Sequence, residues 1–216
     1  MTKPIILYIN SLTVNSIKML LISRALNLNV EFRYIALNKA EHKTDFFIAI
    51  NPEGKVPVLV DQDFVLTQSN SILQYLAAKH NSSLWPSDLK SQASILKILF
   101  WQSSYFNSSV GVISHRLVVL PHWGVKASKI DEVTFGHFHH AIAVLEKILS
   151  KTSAVAGEKI SIADISIASY LMFAKQSHMP LEKYPAVLAW LTRLKKLNWF
   201  SQTQSELNNV LSSVAV

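Results

Sequence analysis

The sequence predicts a small α/β domain followed by an all-helical domain. Residues 1–80 alternate strand-like and helix-like patterns, and residues 81–88 are polar around a single Trp-Pro pair. Residues 89–216 show helical patterns without a convincing pair of strands. We therefore expect an α/β domain over 1–80, a linker over 81–88 and a helical domain over 89–216.

The first domain is predicted to follow the order β-α-β-α-β-β-α. It opens on the apolar run Ile5–Ile9, and a second strand is indicated where Val30, Phe32 and Tyr34 fall on one side of the chain. A turn over 61–63 separates two further strands. In chain order the predicted elements are strand 5–9, helix 15–26, strand 30–36, helix 43–49, strands 56–60 and 64–66, and helix 69–80.

The second domain is predicted to contain four helices, and one of them carries a recognisable start. Ser161 and Asp164 have the spacing of a capping box, with Asp in place of the usual Glu or Gln. The predicted helices cover residues 89–108, 126–149, 162–175 and 185–197.

Composition excludes several kinds of chemistry. The chain has 216 residues and no cysteine, so it offers no disulfide, no Cys-ligated zinc and no thiol nucleophile of its own. Its net charge of +7 is scattered and accompanies no nucleic-acid recognition motif, so we expect no nucleic-acid partner. No apolar stretch is long enough for a membrane span, and we expect a cytoplasmic protein. His137 and His140 could share a helix face, but without Cys or a carboxylate at ligand spacing we expect no metal site.

Pro57 stands directly before a predicted buried strand, where a proline cannot donate to the ladder. A cis Val56–Pro57 bond would explain the position, because it would turn the N–H and C=O of Val56 outward. These groups could then pair with the backbone of an extended peptide, as an added strand does. For this dipeptide alone, an ordinary edge-strand proline is the commoner explanation.

Ser69 stands where a strand passes into a helix. Free backbone N–H groups and the positive end of the helix dipole form an anion site at such a point. The Ser69 hydroxyl could add a hydrogen bond to a carboxylate, and the Gln68 amide oxygen could hold a neighbouring ammonium group. The alternative is that Ser69 is simply the N-cap of the helix, which is the commoner role.

Three segments together resemble the cytosolic glutathione transferase family, with features of its bacterial, theta, phi and nu members. They are NPEGKVPVLVDQDFVLTQSNSILQYLA, GEKISIADISI and YPAVLAWLTRL, and the resemblance extends over nearly the whole chain. It implies a thioredoxin-like first domain, an all-α second domain and glutathione as co-substrate. It also implies a homodimer.

The resemblance assigns roles to the two motifs described above. Val56, before Pro57, is expected to pair with the cysteinyl backbone of glutathione, while Gln68 and Ser69 take its γ-glutamyl end. His42 lies nine residues before Asn51, a spacing at which theta-like and phi-like members place a histidine that reaches the glycine carboxylate. Lys55 could share that task, and a surface histidine is the alternative for His42.

The resemblance further implies a hydroxyl near the start of the first helix that stabilises the thiolate of glutathione. Aligning Lys18 with the family's basic residue puts Thr13 at the usual serine position. The segment from Thr13 to Lys18 then resembles a loop of nu-like members in which Thr and Asn contact the sulfur, so Asn15 joins the site. Ser11 is the alternative hydroxyl, Tyr8 is a third, and Thr13 could instead only cap the helix.

A second substrate is expected to bind against the first helix of the helical domain, where Trp101, Tyr105 and Phe106 are placed. Aromatic residues at helical spacing are more often core than pocket, and both interpretations stay open. If they line the pocket, the substrate is a small apolar or aromatic electrophile. The predicted function is attack of the glutathione thiolate on this electrophile. The alternatives are a glutathione-dependent disulfide reductase or peroxidase, and a non-catalytic binding or regulatory protein.

Overall fold

The computed structural model describes residues 4–212 and shows two compact units that divide between Ser82 and Ser83. The first unit contains a four-stranded sheet of order β2-β1-β3-β4. β1 pairs in parallel with β2 and antiparallel with β3, and β3 pairs antiparallel with β4. The elements are β1 (Ile5–Ile9), α1 (Val14–Ala25), β2 (Val30–Tyr34), α2 (Asp45–Ile50), β3 (Val58–Asp61), β4 (Phe64–Leu66) and α3 (Ser69–Lys79). This is the predicted order, and the arrangement is thioredoxin-like.

The sheet buries residues on both faces, as the alternation of its strands requires. Tyr8 and Val58 are partners in the β1–β3 register and pack with Phe47 of α2 on one face. Their strand neighbours Leu7 and Leu59, also register partners, are fully buried and point to the opposite face. The sheet thereby fixes the carboxyl end of β1 beside the start of β3, where the candidate site is built.

The second unit is all-helical in the residues described. α4 (Leu89–Trp101) continues without a break through π-helical turns at Gln102–Gly111 and His115–Val119. No helix within residues 4–212 has the length and apolar character needed to cross a membrane. The remaining helices are α5 (Val112–Ser114), α6 (Leu120–His122), α7 (Glu132–Leu149), α8 (Ile162–Leu171), α9 (Pro185–Lys195) and α10 (Asn198–Ser212).

The helices of this unit differ from the prediction in their bounds and number. The first helical stretch runs to His122 and not to residue 108, and α8 ends at Leu171 and not at residue 175. α7 begins at Glu132 because Asp131 caps it, its Oδ1 accepting from the Thr134 amide at 2.8 Å. α10 was not predicted, since its sequence is rich in Asn, Gln and Ser, which have modest helix propensity.

The predicted capping box at the start of α8 is present. The Asp164 carboxylate accepts hydrogen bonds from the Ser161 amide at 2.8 Å and the Val155 amide at 3.0 Å. It also accepts from Trp190 Nε1 at 2.9 Å, so one buried side chain joins a loop, α8 and α9. Burial raises the pKa of Asp164 above its usual value, and the hydrogen bonds from Val155, Ser161 and Trp190 oppose that shift.

Candidate functional site

The Val56–Pro57 bond is cis, as predicted. Val56 is half-buried, and neither its N–H nor its C=O has a hydrogen-bond partner among residues 4–212. Asn51 holds the preceding turn, donating from Nδ2 to the Lys55 carbonyl at 2.8 Å and accepting from the Glu53 amide at 3.1 Å. The chain therefore presents one free main-chain donor and one free acceptor in front of β3, which is what an added peptide strand needs.

The turn that carries Val56 lies against the segment that contains His42. Gly54 has a positive φ of 59°, and a Cβ built on it would lie 3.0 Å from the His42 carbonyl oxygen, so a side chain has no room here. His42 Nδ1 is buried and has no hydrogen-bond partner among residues 4–212. Lys55 is exposed and forms an ion pair of 3.6 Å with Glu53. The His42 backbone thus lies against the turn that leads to Val56, and Lys55 directly precedes Val56 in the chain.

The start of α3 also offers unpaired backbone donors. Gln68 is the N-cap residue and makes no capping hydrogen bond with its side chain, and Ser69 is the first helical residue. The amides of Ser69 and Ser71 have no partner within the described part of the chain. Gln68 has φ 67° and ψ 109°, a backbone conformation that is costly for a residue with a side chain. This strain, next to free helix amides, is typical of an anion-binding turn.

The Ser69 hydroxyl belongs to a buried network between α1 and α3, and it does not cap the helix. It accepts from Lys18 Nζ at 3.1 Å and donates to Asn15 Oδ1 at 3.1 Å. Lys18 Nζ also donates to Asn70 Oδ1 at 3.0 Å. Lys18 is fully buried, and burial lowers the pKa of its ammonium group well below the usual value. The network places the Lys18 amine behind the turn that carries the free amides.

The candidate hydroxyl groups differ in their surroundings. Thr13 is the N-cap residue of α1, but its Oγ1 donates to Ser16 Oγ at 2.7 Å and does not cap an amide. Ser11 is half-buried, and its hydroxyl makes no hydrogen bond within residues 4–212. The Tyr8 hydroxyl accepts from Arg33 Nη1 at 2.9 Å, with the ring packed against Phe47 on the α2 face. Tyr8 is therefore engaged elsewhere, while Thr13 and Ser11 remain candidates.

The predicted pocket aromatics lie on one helical stretch but in different environments. Phe106 is fully buried, with its ring 5.7 Å from that of Tyr170, which favours the core interpretation for this residue. Trp101 is half-buried against Phe106 at 5.2 Å. Tyr105 is half-buried against the ring of His140 at 5.8 Å. The pocket role of Trp101 and Tyr105 remains a prediction.

A polar network supports this stretch inside the helical unit. Gln102 Nε2 donates to the Tyr170 hydroxyl at 2.7 Å, and that hydroxyl donates to Asn107 Oδ1 at 3.0 Å. Ser166 Oγ donates to Gln102 Oε1 at 3.1 Å. Burial raises the pKa of the Tyr170 phenol, so this network holds a neutral hydroxyl. Among residues 4–212 no three His, Asp or Glu side chains are grouped to hold a metal ion.

Comparisons with known proteins give the family. Residues 3–78 match the family model described as glutathione S-transferase, N-terminal domain, and residues 130–193 match the corresponding C-terminal domain. A glutathione S-transferase of Arabidopsis thaliana is 32% identical over 75% of this chain and 78% of its own length. The chain belongs to the glutathione S-transferase family.

Two further similarities agree with this membership. Glutathione S-transferase theta-2 of Homo sapiens is 32% identical to this transferase over 77% of this chain and 70% of that protein. The crystal structure of a glutathione S-transferase from Pseudomonas fluorescens superposes with a TM-score of 0.82 at 28% identity, covering 91% of this chain and 97% of that one. The chain is thus a glutathione S-transferase enzyme whose electrophile is unspecified, and glutathione is the substrate of its family.

Sequence reasoning about this glutathione S-transferase missed Lys18 and Asn70 as parts of the site. Lys18 entered only as an alignment marker, and Asn70 was not singled out. A signal was present, because Lys18 is the single charged residue within the run Ile17 to Ser23 of α1. A lysine in an apolar helix is rarely buried without polar partners, and those partners lie 51 and 52 positions away along the chain.

The burial of Lys18 predicts a pH-dependent stability. The pKa of Lys18 is lower in the folded chain than in the unfolded chain, so between those two values the unfolded state binds more protons. Stability should therefore rise with pH through that window, at up to about 1.4 kcal/mol per pH unit, and level off above about pH 10.5. Denaturant unfolding of the protein and of Lys18→Met, compared from neutral to alkaline pH, measures this slope.

The Lys18→Met variant is expected to lose the slope. Lys43→Met, at an exposed position in the same unit, is the matched control and should keep it. An identical slope in all three proteins would contradict the prediction.

Proposed function

We propose that this transferase binds glutathione in an extended conformation between Val56 and the start of α3, and transfers its thiolate to a small apolar electrophile. The free N–H and C=O of Val56 carry this proposal. They lie in front of a strand that is already paired with β1, so a bound cysteinyl residue extends the pattern of the sheet by two hydrogen bonds.

The charges around this edge support the same orientation of the tripeptide. The free amides of Ser69 and Ser71, with Lys18 behind them, favour the α-carboxylate of the γ-glutamyl end. The Gln68 amide oxygen is the acceptor for its ammonium group. At the other end, His42 lies against the turn at Gly54 and Lys55 precedes Val56, and we assign both to the glycine carboxylate.

We assign the thiolate-stabilising hydroxyl to Thr13, with Asn15 next to it. A hydroxyl hydrogen turns freely about its C–O bond, so Thr13 can exchange its donation to Ser16 Oγ for one to a sulfur atom. Such a donor lowers the pKa of the thiol and stabilises the negative charge of the nucleophile. Because the chain has no cysteine, the attacking sulfur is that of glutathione.

Thr13→Val should lower the rate of conjugation at neutral pH by about ten-fold. It should raise the kinetic pKa of the thiol by about one unit, since one unit corresponds to about 1.4 kcal/mol of lost thiolate stabilisation. The measurement is a pH–rate profile of glutathione conjugation to a chloroarene. Ser11→Ala is the matched control and should leave both quantities unchanged.

The pH profiles separate the two hydroxyl groups. If the kinetic pKa of the thiol shifted only in Ser11→Ala, the thiolate-stabilising hydroxyl would be that of Ser11. Unchanged pH–rate profiles in both variants would remove both assignments. Assaying a model disulfide beside the chloroarene distinguishes conjugation from the reductase alternative, which the nu-like segment from Thr13 to Lys18 supports. Glutathione binding without turnover of either substrate would indicate a binding protein.

We also propose a cytoplasmic homodimer, following the family. β4 is an edge strand of the sheet, and its Phe64 and Val65 are 45% and 43% exposed. Exposed apolar side chains on a sheet edge favour contact with another protein surface. A light-scattering mass of one chain, 24.3 kDa, would contradict the dimer.

A further inference from the structure

Lys18 is the only lysine of residues 4–212 whose side chain is buried, and it is completely buried. Its Nζ donates to Ser69 Oγ at 3.1 Å and to Asn70 Oδ1 at 3.0 Å. A neutral amine has the two hydrogens that these bonds need, and neither acceptor carries a charge. Burial lowers the pKa of this ammonium group well below its usual value, because loss of water disfavours the charged form. The free protein is therefore suited to hold the amine uncharged.

The elements packed against α1 bring no acidic side chain to this amine. Neither α1 itself nor β1 or α3 contains an aspartate or a glutamate. The other ionisable groups of these three elements are Tyr8 of β1, Arg24 of α1, and Tyr75 and Lys79 of α3. The Tyr8 hydroxyl accepts from Arg33, Tyr75 and Lys79 both donate to the Asp61 carboxylate, and the arginine of α1 lies about 9 Å further along the helix axis. An anion bound at the start of α3 is thus the charge best placed to stabilise an ammonium group here.

The position assigned to the α-carboxylate of glutathione is close to this amine. A carboxylate oxygen that accepts a hydrogen bond from Ser69 Oγ lies about 2.8 Å from that hydroxyl, and therefore at most about 6 Å from Lys18 Nζ. An opposite charge within about 4–6 Å favours the charged form of an ionisable group. The interaction is stronger at a buried position than in water, because the dielectric constant is lower. Arrival of the carboxylate should therefore counteract the effect of burial on Lys18.

We propose that glutathione binds together with a proton, which Lys18 takes up from solvent when the α-carboxylate occupies the start of α3. This inference rests on the proposed function, because it needs glutathione to bind in the assigned orientation. No covalent bond of glutathione changes in this step, and the amine becomes an ammonium ion beside the carboxylate. By linkage, the affinity should fall as the pH rises, by up to about ten-fold per pH unit. The fall is confined to the range between the pKa of Lys18 in the free protein and its pKa in the complex.

Titration calorimetry with S-methylglutathione tests the coupling, because its blocked sulfur has no proton to release. At each pH the heat is measured in two buffers that differ in their enthalpy of ionisation, and the difference gives the number of protons taken up. Between about pH 5.5 and 9.5 this number should reach a maximum of at least about 0.5, which corresponds to a rise of about one unit in the pKa of Lys18 on binding. The Kd should increase with pH over the same range.

A second ligand and four variants show which group takes up the proton. The analogue with a glutaryl group in place of γ-glutamyl keeps the chain's terminal carboxylate without the amine, and it should bind with the same uptake. Lys18→Arg should bind without it, because arginine is charged throughout this pH range. Lys18→Met should also lose the uptake, and it serves as the test if the buried arginine destabilises the fold. Lys39→Arg, at an exposed position in the same unit, is the matched control and should keep the uptake, as should His42→Asn at the other end of the ligand.

The outcomes separate this inference from the proposed function. Saturable binding of S-methylglutathione with an uptake that stays below about 0.5 proton at every pH would overturn the inference and leave the glutathione site in place. An undiminished uptake in Lys18→Arg or Lys18→Met would also overturn it, because the proton would then belong to another group. A lack of saturable binding to the unmodified protein would remove the glutathione site, and the inference with it.

Discussion

Asp164→Ala is expected to lower the free energy of unfolding of the helical unit by about 3–5 kcal/mol. The carboxylate accepts from the Ser161 and Val155 amides and from Trp190 Nε1. Alanine leaves these three buried donors without an acceptor, and each unsatisfied buried group costs about 1–3 kcal/mol. The substitution also removes the hydrogen bond that joins the start of α8 to α9. Water cannot replace this bond, because Trp190 is fully buried.

Urea unfolding followed by far-UV circular dichroism measures this effect. Asp131→Ala is the control, because Asp131 caps α7 in the same way but at an exposed position, where water replaces the lost acceptor. The drop in the free energy of unfolding should be clearly smaller in Asp131→Ala than in Asp164→Ala. Equal losses in the two variants would show that burial of the Asp164 network contributes nothing beyond ordinary capping.

Ser69→Ala is expected to weaken glutathione binding by about 10- to 100-fold. The hydroxyl connects Lys18 and Asn15 to the turn that carries the free amides, and its hydrogen can turn from Asn15 Oδ1 to a bound carboxylate. A hydrogen bond to a charged group is worth about 1.5–3 kcal/mol, which corresponds to this range of affinity. The methyl side chain also leaves the buried Lys18 with one polar partner fewer.

Titration calorimetry with glutathione measures the change. Ser71→Ala is the matched control, because it removes an exposed hydroxyl from the same helical turn and keeps the backbone amide. An affinity of Ser69→Ala within two-fold of that of Ser71→Ala would remove Ser69 from the site. A complete lack of heat with the unmodified protein at millimolar glutathione would remove the glutathione site itself.

The parts of the molecule that could be predicted from sequence depend on local rules. Three features each have a sequence pattern that spans no more than four residues. They are Pro57 before a strand, Ser69 at a strand–helix junction and the Ser161–Asp164 capping box. The same holds for the order of strands and helices in the first unit, where apolar periodicity is strong.

The parts that could not be predicted depend on contacts between distant positions. The Lys18–Ser69 and Gln102–Tyr170 hydrogen bonds join residues 51 and 68 positions apart, and no local pattern encodes them. α10 escaped prediction for another reason. Phe200, Thr203 and Leu207 form its buried stripe, but the polar residues between them have weak helix propensity, so its helical structure depends on packing.

At Gln68, the proposed binding of glutathione and the stability of the fold favour different residues. Its conformation costs a residue with a side chain about 1–3 kcal/mol, and glycine would be free of most of that penalty. A glycine there would make the chain harder to unfold and would also remove the acceptor assigned to the ammonium group of the tripeptide. A glycine introduced at that turn to raise thermal stability would therefore weaken the proposed binding of glutathione.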